Sequence, residues 1–184
     1  MDGALAGRSL VDLARSGDAA AFESLVRSRI DAVYRLGLAI LGDEADASDA
    51  AQMTFVAAWR DLPGLRDLDR FDAWLQRVAV NSCRMVLRAR SRRRIREIPM
   101  AEMSLAQGRE LGMAAAVQTD GEVLRAAIRH LSLDQRAVLA LHHLDGGSVI
   151  EVAEILAIPI GTAKSRLFKA RADLEKALRE EERR

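Results

Sequence analysis

The sequence predicts an all-α protein: two small helical domains joined by a flexible linker, the second domain containing a helix-turn-helix. Three observations predict it. Apolar residues recur at three- and four-residue spacing along nearly the whole chain, the mark of helices with one buried face. No stretch alternates apolar with polar side chains over a useful length, so strand signals are missing. Between Glu97 and Thr119 the period disappears, in EIPMAEMSLAQGRELGMAAAVQT, a stretch with one proline, two glycines and scattered methionine. The expected division is therefore a first domain over 1–96, a linker over 97–120 and a second domain over 121–184. With 184 residues, 49% of them hydrophobic and 30% charged, the chain is long enough to give both parts a genuine core.

The first helix spans Gly17 to Gly42, with Asp18 available as a cap and Gly42 as a stop. Its spacing places Phe22, Val26, Ile30, Val33, Gly37 and Ile40 on the buried face. A second helix, DEADASDAAQMTFVAAWRDL, buries Ala51, Phe55, Ala58, Trp59 and Leu62 by the same count. Its neighbouring face carries Asp46, Asp49, Gln52, Met53 and Val56, a mixture of acid and apolar groups. PGLRDLDR is a breaker-rich connection, and a third helix runs from about Phe71 to Arg90, with Trp74, like Trp59, assigned to the core.

Beyond the linker come four helical segments, two of which open with a reciprocal capping pattern, Ser132 with Gln135 and Ser148 with Glu151. The last two are a short helix and a long one, separated by a tight break at Ala157-Ile158-Pro159. Such a pair packed at a steep angle is the helix-turn-helix, whose second helix can enter a DNA major groove. Ala163, Leu167, Ala170, Leu174 and Ala177 fall on the inward face of that helix. Thr162, Ser165, Arg166 and Lys169 point outward in its first turns, with Lys164 at the margin, and these are groups that read base edges and phosphates.

Charge supports a nucleic-acid partner. The net charge of +1 averages over polarised segments: residues 71–96 hold 8 basic side chains against 1 acidic, while residues 1–70 hold 8 against 12. A run of cations on one helix is the electrostatic footprint of a phosphate-backbone reader.

Other classes find little support. A single cysteine, Cys83, excludes an internal disulfide and a multi-cysteine metal site, and His130, His142 and His143 lack acidic partners at ligand spacing. Neither Ser9 beside Arg8 nor Cys83 among arginines comes with a general base, so no catalytic residue, cofactor or metal is expected. The chain has neither a run of roughly 18 apolar residues nor a secretory leader in MDGALAGRSL, and it is expected to stay in the cytoplasm without membrane contact of its own.

Three stretches carry a resemblance that covers most of the chain, from Ser16 to Leu178: DASDAAQMTFVAAW, RFDAWLQRVAVNSCRMVLR and LSLDQRAVLALHHLDGGSVIEVAEILAIPIGTAKSRLFKAR. In this order and spacing the chain resembles the extracytoplasmic-function (ECF) sigma factors, the minimal two-domain members of the bacterial sigma-70 family. It departs from the family pattern at Met53 (usually glutamate), Asp72 (usually arginine), Ala163 (usually valine) and Ile160 (usually polar).

The resemblance implies an alternative-sigma transcription initiation factor that binds core RNA polymerase, at the beta-prime clamp helices and the beta flap, and carries it to promoter DNA. It implies that Asp46, Asp49, Gln52, Met53 and Val56 contact the polymerase. Arg77, Asn81, Arg84 and Arg88 would serve the minus-ten element, an unstacked base being received by Asn81 and the 65–70 loop, with the arginine tract on through Arg90 and Arg92 along phosphates. Thr162, Lys164, Ser165, Arg166, Phe168 and Lys169 would serve the minus-thirty-five element. An anti-sigma factor is the implied inhibitory partner. The rival reading is a helix-turn-helix regulator that acts on DNA without joining the polymerase.

Overall fold

The computed structural model describes residues 10–97, 120–181 and 183; all the described regular structure is helical. A helical segment over residues 10–15 leads into α1 (Ala19–Leu41), α2 (Glu44–Asp61) and α3 (Phe71–Glu97), with two short 3-10 turns, Leu62–Gly64 and Leu68–Arg70, between α2 and α3. The second group holds α4 (Asp120–Arg129), α5 (Leu133–His143), α6 (Val149–Leu156) and α7 (Ile160–Glu181). The expected linker falls, apart from its ends, outside the described residues.

Local chemistry sets the boundaries. The Asp18 carboxylate accepts from Ala20 N and Ala21 N, supplying two of the N–H groups that the first turn of α1 leaves unpaired. At the other end Gly42 turns left-handed, with φ 71°, and donates to Leu38 O. Asp43 then caps α2 through Asp46 N. Both expected capping boxes form, Ser132 with Gln135 on α5 and Ser148 with Glu151 on α6.

In the first group α1, α2 and α3 pack around Leu36, Ile40, Ala47, Ala58, Leu62, Leu75 and Val80. Thr54 is fully buried, and its hydroxyl is satisfied by donation to Ala50 O at 2.6 Å. The buried stripe of α1 differs from the expected one by part of a turn: Ala21, Leu25, Val33, Leu36, Gly37 and Ile40 face inward, whereas Ile30 is 44% exposed. Trp59, expected in the core, is 42% exposed and rests edge-on against Phe22 with ring centroids 4.8 Å apart. α2 packs through Ala47, Ala50, Ala51 and Ala58, so the helices approach closely and Trp59 is left at the margin against Phe22. Trp74 does pack as expected, partly buried and 5.9 Å from Phe71.

The two groups touch, and their buried residues form one continuous cluster in which α1 meets α5 and α3 meets α6. Arg136 on α5 ties the contact together. Its guanidinium donates to Leu131 O at 3.0 Å, Arg129 O at 2.8 Å and, across the junction, Ile40 O at 3.0 Å. Burial, followed by the nearby charge of Arg129, lowers its pKa from the ordinary value, yet three carbonyl acceptors keep the ion satisfied.

Candidate nucleic-acid interface

The helix-turn-helix is α6, the turn at Ala157-Ile158-Pro159, and α7. Its tightness comes from Ala157, which sits left-handed at φ 54° and so lets Ile158 N reach Ala153 O at 3.0 Å. Val152, Ala153, Ile155 and Leu156 on α6 bury against Ala163, Leu167 and Ala170 on α7 and against Val138 and Leu141 on α5. That packing fixes what remains outside. Lys164, Ser165, Phe168 and Lys169 are exposed, Phe168 at 78%, an unusual position for a phenyl ring in water. Thr162 is half-buried and its carbonyl accepts from Ser165 Oγ at 3.0 Å. Arg166 is half-buried too, its Nη1 lying 3.1 Å from Asp134 Oδ2 on α5. The structure thus places four of these six residues in the open on one side of α7 and holds the other two closer to the core.

On α3 the predicted residues share a side, and Arg77, Asn81 and Arg84 are already engaged. Arg77 donates to Ile155 O at 2.9 Å and also to Glu154 O, the last carbonyls of α6. Arg84 bridges Asn81 Oδ1 at 2.9 Å and Asp134 Oδ1 at 3.0 Å. Arg88 is exposed, as are Arg92 and Arg93. Arg90 pairs with Asp46 Oδ2 on α2 at 2.9 Å. The 65–70 loop meets the second group as well, Arg70 pairing with Glu154 at 2.7 Å. Asp72, the acid found where arginine was usual, pairs with Arg29 of α1 at 2.7 Å and so staples the start of α3 to α1.

A third surface lies between α2 and the outer half of α3. Asp46, Asp49, Gln52 and Met53 line an open groove of about 310 Å³ with Met85, Val86, Ala89, Arg90 and Arg93 opposite. Four of the five residues read from α2 are therefore gathered in one place, and Val56, one turn along, is 65% exposed beyond it. The α3 side of the groove escaped the sequence reading. Its signal was present in the four-residue spacing of Met85, Ala89 and Arg93, which the arginine run obscured. Among the described residues no group of three or more His, Cys, Asp or Glu is placed to hold a metal ion.

These two halves can be matched to known proteins. The model for Sigma-70 region 2 matches residues 25–93, and that for Sigma-70 region 4 matches residues 121–174. The ECF RNA polymerase sigma factor SigW of Bacillus subtilis is 31% identical over 179 residues, covering 90% of this chain and 93% of its own. The chain belongs to the ECF sigma factors. RNA polymerase sigma-H factor of Pseudomonas aeruginosa is similar to it at 29% identity over 179 residues, covering 93% of each chain. Among solved structures, CnrH in complex with the cytosolic domain of CnrY is similar with a TM-score of 0.66 at 28% identity, covering 94% of this chain and 97% of that one. The sigma factor RpoE of Bartonella quintana, in complex with the anti-sigma factor NepR, is similar with a TM-score of 0.63 at 25% identity, covering 86% and 96%. As a sigma factor the chain is a transcription initiation factor and not an enzyme. The region 4 match contains the whole helix-turn-helix up to the middle of α7, and the region 2 match contains the α2–α3 groove.

Proposed function

We propose that this sigma factor joins core RNA polymerase through the α2–α3 groove and directs it to promoters with two separate readers. Residues 1–96 form the region 2 domain and 121–184 the region 4 domain, with 97–120 as the linker between them. Asp46, Asp49, Gln52, Met53 and Val56 meet the beta-prime clamp helices. The groove suits that role because its centre is apolar, at Met53, Met85 and Val86, while its carboxylates and Arg93 fix register. The beta flap receives region 4.

On α7, Lys164 and Lys169 face phosphates, while Ser165, Arg166 and Phe168 face base edges of the minus-thirty-five element, Thr162 setting the helix start. Phe168 offers an apolar surface that a thymine methyl can cover. On α3, Arg77, Arg84 and Arg88 hold the backbone of the minus-ten strand and Asn81 bonds an unstacked base. The protein works where the polymerase does, in the cytoplasm; none of its described helices is long and apolar enough to cross a membrane. By extension from relatives solved with inhibitory partners, an anti-sigma factor holds it in check.

The observation that carries this reading is the placement of the region 2 and region 4 matches on the two helical groups, each with its own cationic helix. Runoff transcription by core polymerase over a promoter library, with and without this chain, tests it. Transcripts that depend on the chain are expected; none, together with no co-elution with core enzyme, overturns the reading in favour of a regulator that acts alone.

A further inference from the structure

Asp134, in the first turn of α5, has no part in either reader as assigned, yet its carboxylate lies at the edge of the outward side of α7. Its Oδ2 stands 3.1 Å from Arg166 Nη1, and both side chains are partly exposed, Arg166 at 33% and Asp134 at 40%. An acid so close to a phosphate-binding face repels DNA unless a cation takes up its charge. An ion pair this exposed adds little to folding, so stability does not explain it. Geometry does. A long arginine side chain loses rotamer freedom when a base fixes it, and a carboxylate that fixes it beforehand removes part of that cost. The carboxylate is itself anchored. Gln135, the next residue, accepts from Ser132 N through Oε1 at 2.9 Å and donates from Nε2 to Asp173 Oδ2 on α7 at 2.5 Å. One amide thus closes the α5 capping box and pins the start of α5 to α7, which sets where Asp134 can reach. Arg84 Nη2 approaches the other oxygen, Oδ1, at 3.0 Å, so the pairing with Arg166 uses an atom of its own.

We propose that Asp134 is a positioning residue for the minus-thirty-five element: it holds the Arg166 guanidinium in one orientation, and the pair together determines the base read at that point. The proposal rests on the assignment of Arg166 to a base edge. A guanidinium carries five N–H donors in a planar fork, so pairing through Nη1 leaves an edge that can face the major groove. The base that offers two acceptors to such an edge is guanine, through O6 and N7. Without the carboxylate the same arginine swings to a phosphate and contributes affinity that does not depend on sequence.

The test uses holoenzyme assembled from core polymerase and the full chain, and a pool of short DNA duplexes of random sequence that is selected by binding and sequenced. Wild type is expected to favour guanine at one position of the minus-thirty-five element. Arg166→Ala should lose that preference by roughly five- to hundredfold and leave the other positions unchanged. Asp134→Asn, which keeps the shape of the side chain, and Asp134→Ala should lose the preference at the same position. Their affinity for the unselected pool should hold or rise, with a salt slope steeper by about 1, as the released arginine moves to a phosphate. Asp134→Glu should restore part of the preference. If Asp134→Asn and Asp134→Ala keep the guanine preference while Arg166→Ala loses it, the positioning role is overturned and the base assignment of Arg166 stands. If Arg166→Ala itself changes no position, the base assignment fails and takes the proposal with it. A loss spread evenly over all positions in the Asp134 variants makes Asp134 a structural residue and overturns the proposal as well.

Discussion

On α7, Lys164, Ser165, Phe168 and Lys169 stand open to solvent, whereas on α3 Arg77 and Arg84 are committed to α6 carbonyls and to Asp134. Both helices carry cations on an outward side, eight arginines over α3 and six lysines and arginines over α7, so charge alone does not tell which is open. The difference is tertiary. Among the described residues no helix is laid over the side of α7 bearing Phe168, while the side of α3 bearing Arg77 has α6 against it. A cationic helix face can thus stand exposed, as on α7, or lie covered by a neighbouring helix, as on α3.

The largest effect is expected where the two readers depend on a common anchor. Asp49→Arg with Gln52→Ala places a cation and a truncation in the α2–α3 groove, and co-elution with core polymerase should be lost while the circular dichroism spectrum stays as in wild type. Retained co-elution removes the groove from the interface, and with it the shared anchor.

Next comes a substitution that acts on the covered side alone. Asn81→Ala removes an amide able to bond a base, worth roughly 1–3 kcal/mol, and should reduce permanganate reactivity of promoter thymines on duplex templates. A premelted bubble should restore most of the runoff yield, because the cost of unstacking has been met in advance. Equal opening by variant and wild type makes Asn81 structural, as the 2.9 Å bond from Arg84 would then suggest.

On the open side, Phe168→Ala should weaken holoenzyme binding to a minus-thirty-five duplex by on the order of 1 kcal/mol, concentrated at one base position, without changing the unfolding midpoint. Lys164→Ala should act on all sequences alike and reduce the salt slope of binding by about 1. If Phe168→Ala lowers the midpoint instead, the ring is packing in solution and α7 is less open than its 78% exposure implies.

The smallest effect is at the hinge of the helix-turn-helix. Ala157 holds φ 54°, where a Cβ is strained, and Ala157→Gly should raise stability by about 0.5–1 kcal/mol, read from the urea midpoint. A lower midpoint would mean that the alanine methyl contributes packing that outweighs its strain.

Much of the fold was legible because its decisive signals are local. Asp18, Gly42, Ser132 with Gln135, and Ser148 with Glu151 each act within four residues, and all form the caps their spacing foretold. The stripe on α1 was less legible. Periodicity marks a face to within part of a turn, and whether Leu25 or Val26 lies deepest depends on how closely the alanines of α2 approach. On α7 a single helix fixes Ser165 and Lys169 outward as read, whereas Thr162 and Arg166 are half-buried and Lys164, read at the margin, is exposed. The engagement of Arg77, the turn of Arg90 toward Asp46 and the bond from Arg136 to Ile40 O were not legible, because each partner lies more than 40 residues away.

Cys83 has a practical consequence of a different kind. It is the only thiol in the chain, it is fully buried, and burial pushes its pKa up to about 12, so almost none of it is nucleophilic thiolate at neutral pH. Maleimides and disulfide reagents are therefore expected to label the native molecule far more slowly than the unfolded chain. Any cysteine introduced at its surface becomes a unique address for a fluorophore, a spin label or a cross-linker, and no background substitution has to disturb the centre of α3 first.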